Sequence, residues 1–209
     1  HTGGLVHVLK IKAPVQVFAH PDIFANKYAA VRNNGRENIR YVGMQHGREE
    51  YEKQGAQFTL RTSFEQVAGD MYLTGEIPRV TDYEKGDTRL LVDNAGALFP
   101  DSMPDDQSLV IKTKRGLLLI LGCAHAGLIN ILKHVSEYFQ HETIHTIVGG
   151  THLGFLTDEQ LETTIEDLKH FDFKQLGASH CTGPKAAGRL FQEFGDRFFF
   201  AQAGTSAEV

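Results

Sequence analysis

The chain has 209 residues, 41% of them hydrophobic and 22% charged, and a formal net charge of −5. That is enough apolar chain for one substantial core, and the acidic balance excludes the basic footprint of a nucleic-acid binder. No apolar run approaches the ~20 residues of a membrane span, and no signal peptide is visible, so the expectation is a cytoplasmic protein. The two cysteines, Cys123 and Cys181, are too few for a four-cysteine zinc site or a disulfide framework and read as free thiols with a packing role. Eleven histidines, against six prolines and no tryptophan, direct the search toward metal-ligand spacing.

In chain order, the first elements are irregular. A first helix would carry His7. Val15–Ala19 predicts a short strand, residues 21–28 a helix opened by Pro21, and residues 32–40 a polar, turn-rich stretch. Two β-rich pieces follow at 57–62 and 71–74. A long loop then spans 94–106 and contains Pro100 and Pro104, a length that suits a lid or an insertion.

From Ser108 the pattern becomes regular. Residues 108–113 and 117–121 read as strands of a hairpin turning at Lys114-Arg115-Gly116. Leu128, Ile131, Leu132, Val135 and Phe139 have helical period. A strand at 144–148 precedes a helix over 157–170, opened by Thr157 with Glu159 and Gln160 close behind. A strand at 173–178, a helix over 184–194 with Pro184 in its first turn, and a strand at 196–200 complete the series. This alternation of strand and helix with short connections predicts parallel strands joined by right-handed crossovers, hence the α/β class. Leu118, Ile120, Val148 and Leu176 are candidates for an inner sheet face.

Three histidines sit just after three successive strands. His125 ends Gly122-Cys123-Ala124-His125, His152 ends Gly149-Gly150-Thr151-His152, and His180 follows the strand at 173–178. They are about one βα unit apart. Parallel strands share one carboxyl edge, so these imidazoles are expected to converge at the crevice where open α/β sheets bind ligands. Imidazole is a common ligand of zinc and iron. His134, His141, His145 and His170 fall at the opposite edge or on helix faces and read as structural, as does His7. His20 ends a strand and reads as a capping or packing residue, with an approach to the site as the alternative. His46 is undecided. The segment from His180 through Cys181, Thr182, Gly183 and Pro184 to Lys185 enters a helix, whose free N–H groups and dipole suit an anion. Thr182, Gly183 and Lys185 are therefore candidate substrate-binding residues, with a plain N-cap by Thr182 as the alternative.

At these residues the chain resembles the metallo-β-lactamase superfamily, and more narrowly its 7,8-dihydropterin-6-methyl-4-(β-D-ribofuranosyl)aminobenzene-5′-phosphate synthase-like branch. The matching pieces are Thr74-Gly75-Glu76-Ile77-Pro78-Arg79-Val80, Asp105-Asp106-Gln107-Ser108-Leu109, Gly122-Cys123-Ala124-His125-Ala126-Gly127, Gly149-Gly150-Thr151-His152-Leu153 and His180-Cys181-Thr182-Gly183. The resemblance implies an αββα sandwich, of which residues 1–209 would be the C-terminal portion of a single domain lacking the first strands. The superfamily hallmark is His-x-His-x-Asp-His before a helix, and His1-Thr2-Gly3-Gly4-Leu5 looks like its very end. The general-base Asp would then lie upstream of His1, and an N-terminal segment absent from this sequence is expected to complete the fold.

The resemblance further implies a dinuclear site. The position of His125 belongs to one metal, the positions of His1 and His180 to the other, and His152 stands where a bridging residue is expected. The cofactors implied are two divalent cations, zinc first, with iron, manganese or magnesium as alternatives. The activity implied is that of a metal-dependent hydrolase or transferase. It would use a metal-bound hydroxide on a small anionic metabolite, phosphorylated or pterin-like, with neither nucleic acid nor membrane as partner. Two alternatives stand beside it: a non-catalytic ligand-binding or signalling protein on the same fold, and a redox metalloprotein.

Overall fold

A computed structural model describes residues 2–33 and 36–209. His1, expected as a ligand, lies outside the described residues. The chain divides into two compact units, His1–Thr62 with Asp87–Asp105, and Ser63–Gly86 with Asp106–Val209.

The first unit opens with helix α1 (Leu5–Ile11), which carries His7, and strand β1 (Val15–Ala19) follows where the sequence placed it. The helix expected over 21–28 does not form. Pro21–Phe24 make a single 3-10 turn, capped by His20, whose Nδ1 accepts the Asp22 N–H at 3.1 Å. Strand β2 (Lys27–Asn33) takes over, and β3 (Arg36–Tyr41) pairs with it antiparallel where a turn-rich stretch was expected. Proline suits a helix start, but the chain after Asn26 gains more by cross-strand pairing. Tyr28 stands opposite Tyr41, their rings edge to face at 5.4 Å.

Helix α2 (Arg48–Lys53) and strand β4 (Ala56–Leu60) come next, β4 pairing parallel with β1. The chain then enters the second unit with β5 (Glu65–Ala68) and β6 (Met71–Leu73), and returns to the first with β7 (Leu90–Asn94) and β8 (Ala97–Pro100). Strand β8 occupies part of the long loop expected at 94–106. It completes a four-stranded sheet ordered β3-β2-β7-β8. Leu9, Met44, Tyr51 and Ala56 form this unit's core. Beside it the buried Lys27 ammonium meets Asp22, Asp101 and Asp105 at 2.8, 3.0 and 2.5 Å.

The second unit continues with β9 (Leu109–Thr113), β10 (Gly116–Ile120), α3 (Leu128–Tyr138), β11 (Ile144–Gly150), α4 (Asp158–Leu168), β12 (Phe173–Ser179), α5 (Gly183–Phe194) and β13 (Phe198–Phe200). Each lies within a few residues of its sequence expectation. The seven-stranded sheet is ordered β13-β12-β11-β10-β9-β6-β5, with β10 to β13 mutually parallel and β9 antiparallel to β10, as the hairpin signal requires. Thr157 caps α4, its hydroxyl accepting the Gln160 N–H at 3.2 Å.

Alternation decides which strand residues pack. Leu119, Ile147 and Leu176 lie in register across β10, β11 and β12 and are fully buried, in one cluster with Leu132 of α3, Ile165 of α4 and Leu190 of α5. Each such side chain contributes about 1.5–3 kcal/mol by leaving water. Leu176 therefore belongs to this buried layer and not to the face of Leu118, Ile120 and Val148, which are half-buried; the position beside Val148 on β12 is Gly177. No helix among the described residues is long and apolar enough to cross a membrane.

Candidate metal centre

The parallel pairing of β10, β11 and β12 puts the carboxyl ends of all three strands on one edge, and His125, His152 and His180 follow those ends. The backbone there is bent into a conformation that side chains disfavour. Ala124, His152 and His180 have φ of 54°, 58° and 52°, in the left-handed region where glycine is usual. Such strain, about 1–3 kcal/mol per residue, persists where the surroundings over-determine the geometry and is typical of binding sites.

Two of the three histidines form a pair, and the third joins two cysteines in a trio. The rings of His125 and His152 are 4.3 Å apart between centroids and line one cleft with Glu84, Thr151, Leu156 and Gln160. His152 is buried and His125 half-buried. His180 is exposed and joins Cys123 and Cys181, the donor atoms of these three all lying within 4.8 Å of one another. Both cysteines are buried and neither is in a disulfide. The trio adjoins the pair, since the His152 N–H donates to Cys181 Sγ at 3.2 Å. A hydrogen bond from Cys123 favours the Cys181 thiolate, lowering the Cys181 pKa and raising that of Cys123, and the His152 side chain adds to the lowering.

The loop holding His125 is fastened from three directions. Asp106, buried, accepts the Ala126 N–H at 2.8 Å. Arg79 donates to the His125 carbonyl at 2.9 Å. Glu84, buried, accepts the Ile129 and Asn130 N–H groups at 2.9 and 2.8 Å and the Thr81 hydroxyl at 3.1 Å. These N–H groups belong to the first turn of α3, so the carboxylate does the work of a cap where Gly127 provides none. Burial raises the Glu84 pKa above its ordinary 4.5, opposed by those N–H bonds. Neither Asp106 nor Glu84 stood out as a site residue in the sequence; the Asp105-Asp106-Gln107-Ser108 motif was the available signal for the first, and the second had none.

The candidate anion residues are engaged within the protein. Thr182 is buried, its hydroxyl 3.0 Å from that of Thr151 and accepting the Thr151 N–H at 3.2 Å. It makes no cap bond to α5, so the plain N-cap reading does not hold. Gly183 has φ of 68°. Lys185 forms an exposed ion pair with Asp158. The remaining histidines are placed elsewhere: His134 meets the Thr74 carbonyl at 3.0 Å, His145 the Thr146 hydroxyl at 2.9 Å, and His46 pairs with Glu50 at 3.0 Å.

No protein-family model matches the chain. It is 29% identical over 98% of its length to the 7,8-dihydropterin-6-methyl-4-(beta-D-ribofuranosyl)-aminobenzene-5′-phosphate synthase of Methanocaldococcus jannaschii, covering 70% of that protein. It is 30% identical over 92% of its length to an uncharacterised protein of the same archaeon, covering 68% of it. A crystal structure described as a metal-dependent hydrolase of the β-lactamase superfamily superposes on the whole chain with a TM-score of 0.84 at 27% identity, the match covering 75% of that structure. Strand-end histidines on a parallel sheet, together with these relatives, place the chain: it belongs to the metallo-β-lactamase superfamily. Within that superfamily it falls in the branch similar to the methanogen dihydropterin synthase.

Proposed function

We propose that this protein is a metal-dependent hydrolase or transferase acting on a small anionic metabolite, with a phosphorylated, pterin-like compound as the first candidate class. The observation that carries the reading is the His125–His152 pair, two imidazoles 4.3 Å apart in a cleft at the carboxyl edge of a parallel sheet. The donor set fits divalent zinc or iron, being rich in imidazole, with sulfur close by. His125 and His180 would each hold one cation and His152 would stand between them. When bound, such cations lower the pKa of water and polarise a substrate oxygen.

The chain's own groups have separate tasks. Asp106, Arg79 and Glu84 hold the loop that aims His125. An anionic substrate group would bind at the start of α5 beside Thr182 and Gly183. Lys185 would leave Asp158 to reach it, at low cost because an exposed ion pair is worth only ~0–1 kcal/mol. The homologous synthase gives the pterin-like class its motivation.

The test is metal content of the purified full-length protein together with a turnover screen over phosphate esters and phosphorylated pterins. We expect one to two equivalents of zinc or iron, turnover that stops on chelation, and loss of both with His152→Ala. A metal-free protein that binds such compounds without turning them over would refute the enzymatic reading. Iron with dioxygen or nitric oxide consumption would replace it with a redox one.

A further inference from the structure

Cys123 and Cys181 come from the ends of β10 and β12, strands that are not neighbours, because β11 runs between them. Their thiols meet because β11 ends in a residue without a side chain. A Cβ on Gly150 would lie 2.7 Å from Cys181 Sγ, 2.8 Å from the Gly122 carbonyl and 3.4 Å from Cys123 Cα. The glycine opens a cradle that the Cys181 sulfur fills, against the backbone of Cys123. His180 then brings a ring nitrogen to the same place, through a backbone bent to φ 52° directly before Cys181.

We propose that Cys123, Cys181 and His180 form a sulfur–sulfur–nitrogen binding set for a thiophilic divalent cation of the zinc type. All three donor atoms lie within 4.8 Å of one another. A tetrahedral zinc with ~2.3 Å bonds to sulfur and ~2.0–2.1 Å to nitrogen needs its sulfurs roughly 3.8 Å apart and each sulfur roughly 3.5 Å from the nitrogen, a closure of about 1.3 Å at most. The thiols are buried while His180 is exposed, so the cation has an entry path on the imidazole side and a dry floor of sulfur beneath. The His152 N–H already donates to Cys181 Sγ, the kind of outer support that steadies a thiolate ligand. Two thiols that merely packed would require neither a third donor at the same point nor a strained residue to supply it. Zinc binding here replaces thiol protons and releases them to solvent.

The proposal rests on the reading above only through His180, which the two share. It deepens that reading: the strand-end edge would offer two unlike positions, one sulfur-rich and one of the His125 and His152 imidazoles.

Cobalt(II) added to the reduced full-length protein without oxygen separates them, because thiolate coordination gives an intense near-ultraviolet charge-transfer band and imidazole coordination gives only weak visible bands. We expect that band in the unmodified protein and in His125→Ala. We expect it roughly halved in Cys123→Ser or Cys181→Ser, with at least tenfold weaker cobalt binding, and abolished in the double variant. Visible bands without the charge-transfer band in the unmodified protein would overturn the thiol site while leaving the imidazole reading intact. No cobalt binding by protein of native circular dichroism would overturn both. The decisive spectrum is that of the unmodified protein, so a variant that fails to fold does not remove the test.

Discussion

Glu84 is the perturbation from which the energetics of the His125 loop can be read. Its carboxylate takes two N–H groups of the first turn of α3, at 2.9 and 2.8 Å, and the Thr81 hydroxyl at 3.1 Å. Hydrogen bonds to a charged group are worth about 1.5–3 kcal/mol each, and a buried N–H left without an acceptor costs about 1–3 kcal/mol. Burial of the charge works against this, which is why the Glu84 pKa is raised. Allowing for that offset and for non-additivity, Glu84→Ala should destabilise the protein by about 2–4 kcal/mol. Glu84→Gln keeps one acceptor oxygen and turns an NH₂ toward the other N–H, and should cost about 1–2 kcal/mol at neutral pH. The pH dependence has a definite sign. With the folded pKa above the unfolded 4.5, the stability of wild type relative to Glu84→Gln is greatest below pH 4.5 and falls as pH rises through the folded value. Urea unfolding of both variants between pH 4 and 8, followed by circular dichroism, measures each quantity. A Glu84→Ala protein within 0.5 kcal/mol of wild type, a threshold set by ordinary surface substitutions, would refute the capping role.

Gly127→Ala should be at least as damaging as Glu84→Ala, because its Cβ would lie 2.3 Å from the Glu84 carboxyl carbon and its φ is 98°; a thermal midpoint equal to wild type would contradict this. In the first unit, Lys27→Met should cost about 3–5 kcal/mol by leaving three carboxylates around an absent cation. Burial lowers the Lys27 pKa, but bonds to Asp105, Asp22 and Asp101 outweigh it and raise the value from 10.5 to about 12. The stability this supplies is therefore complete below pH 10.5 and is lost as pH rises toward 12, and alkaline unfolding of wild type and variant should converge over that interval.

The second unit was legible because its elements are long, periodic and joined by short turns. Leu128, Ile131, Leu132 and Val135 mark a helix without reference to anything distant, and all four are buried as that period requires. The first unit was legible only in part, through α1, β1 and β4. Strand β3 alternates only over Asn38-Ile39-Arg40-Tyr41 and buries neither Ile39 nor Tyr41, and β8 is exposed along its whole length, so neither carries the half-buried face that marks a strand. Each pairs with the strand immediately before it, Asn33 opposite Arg36 and Asn94 opposite Ala97, so the signal that was passed over is the two-residue spacing between adjacent runs that marks a hairpin. At the site, the strand-end position of the histidines followed from topology alone. Their division into an imidazole pair and a thiol-linked trio did not, because it depends on which way three left-handed residues turn and on the gap that Gly150 leaves between two strands.

The left-handed backbone at His152 and His180 sets stability and binding against each other at single positions. Glycine would relax each of those residues while deleting an imidazole, so the changes that most ease the empty fold are the ones that disarm it. Laboratory selection for heat resistance alone, with no demand for metal, would drift toward glycine or asparagine at 152 and 180 and return a sturdier, inert protein. Stabilising this molecule for use therefore calls for selecting on bound metal and melting temperature together, and for leaving these two bends untouched.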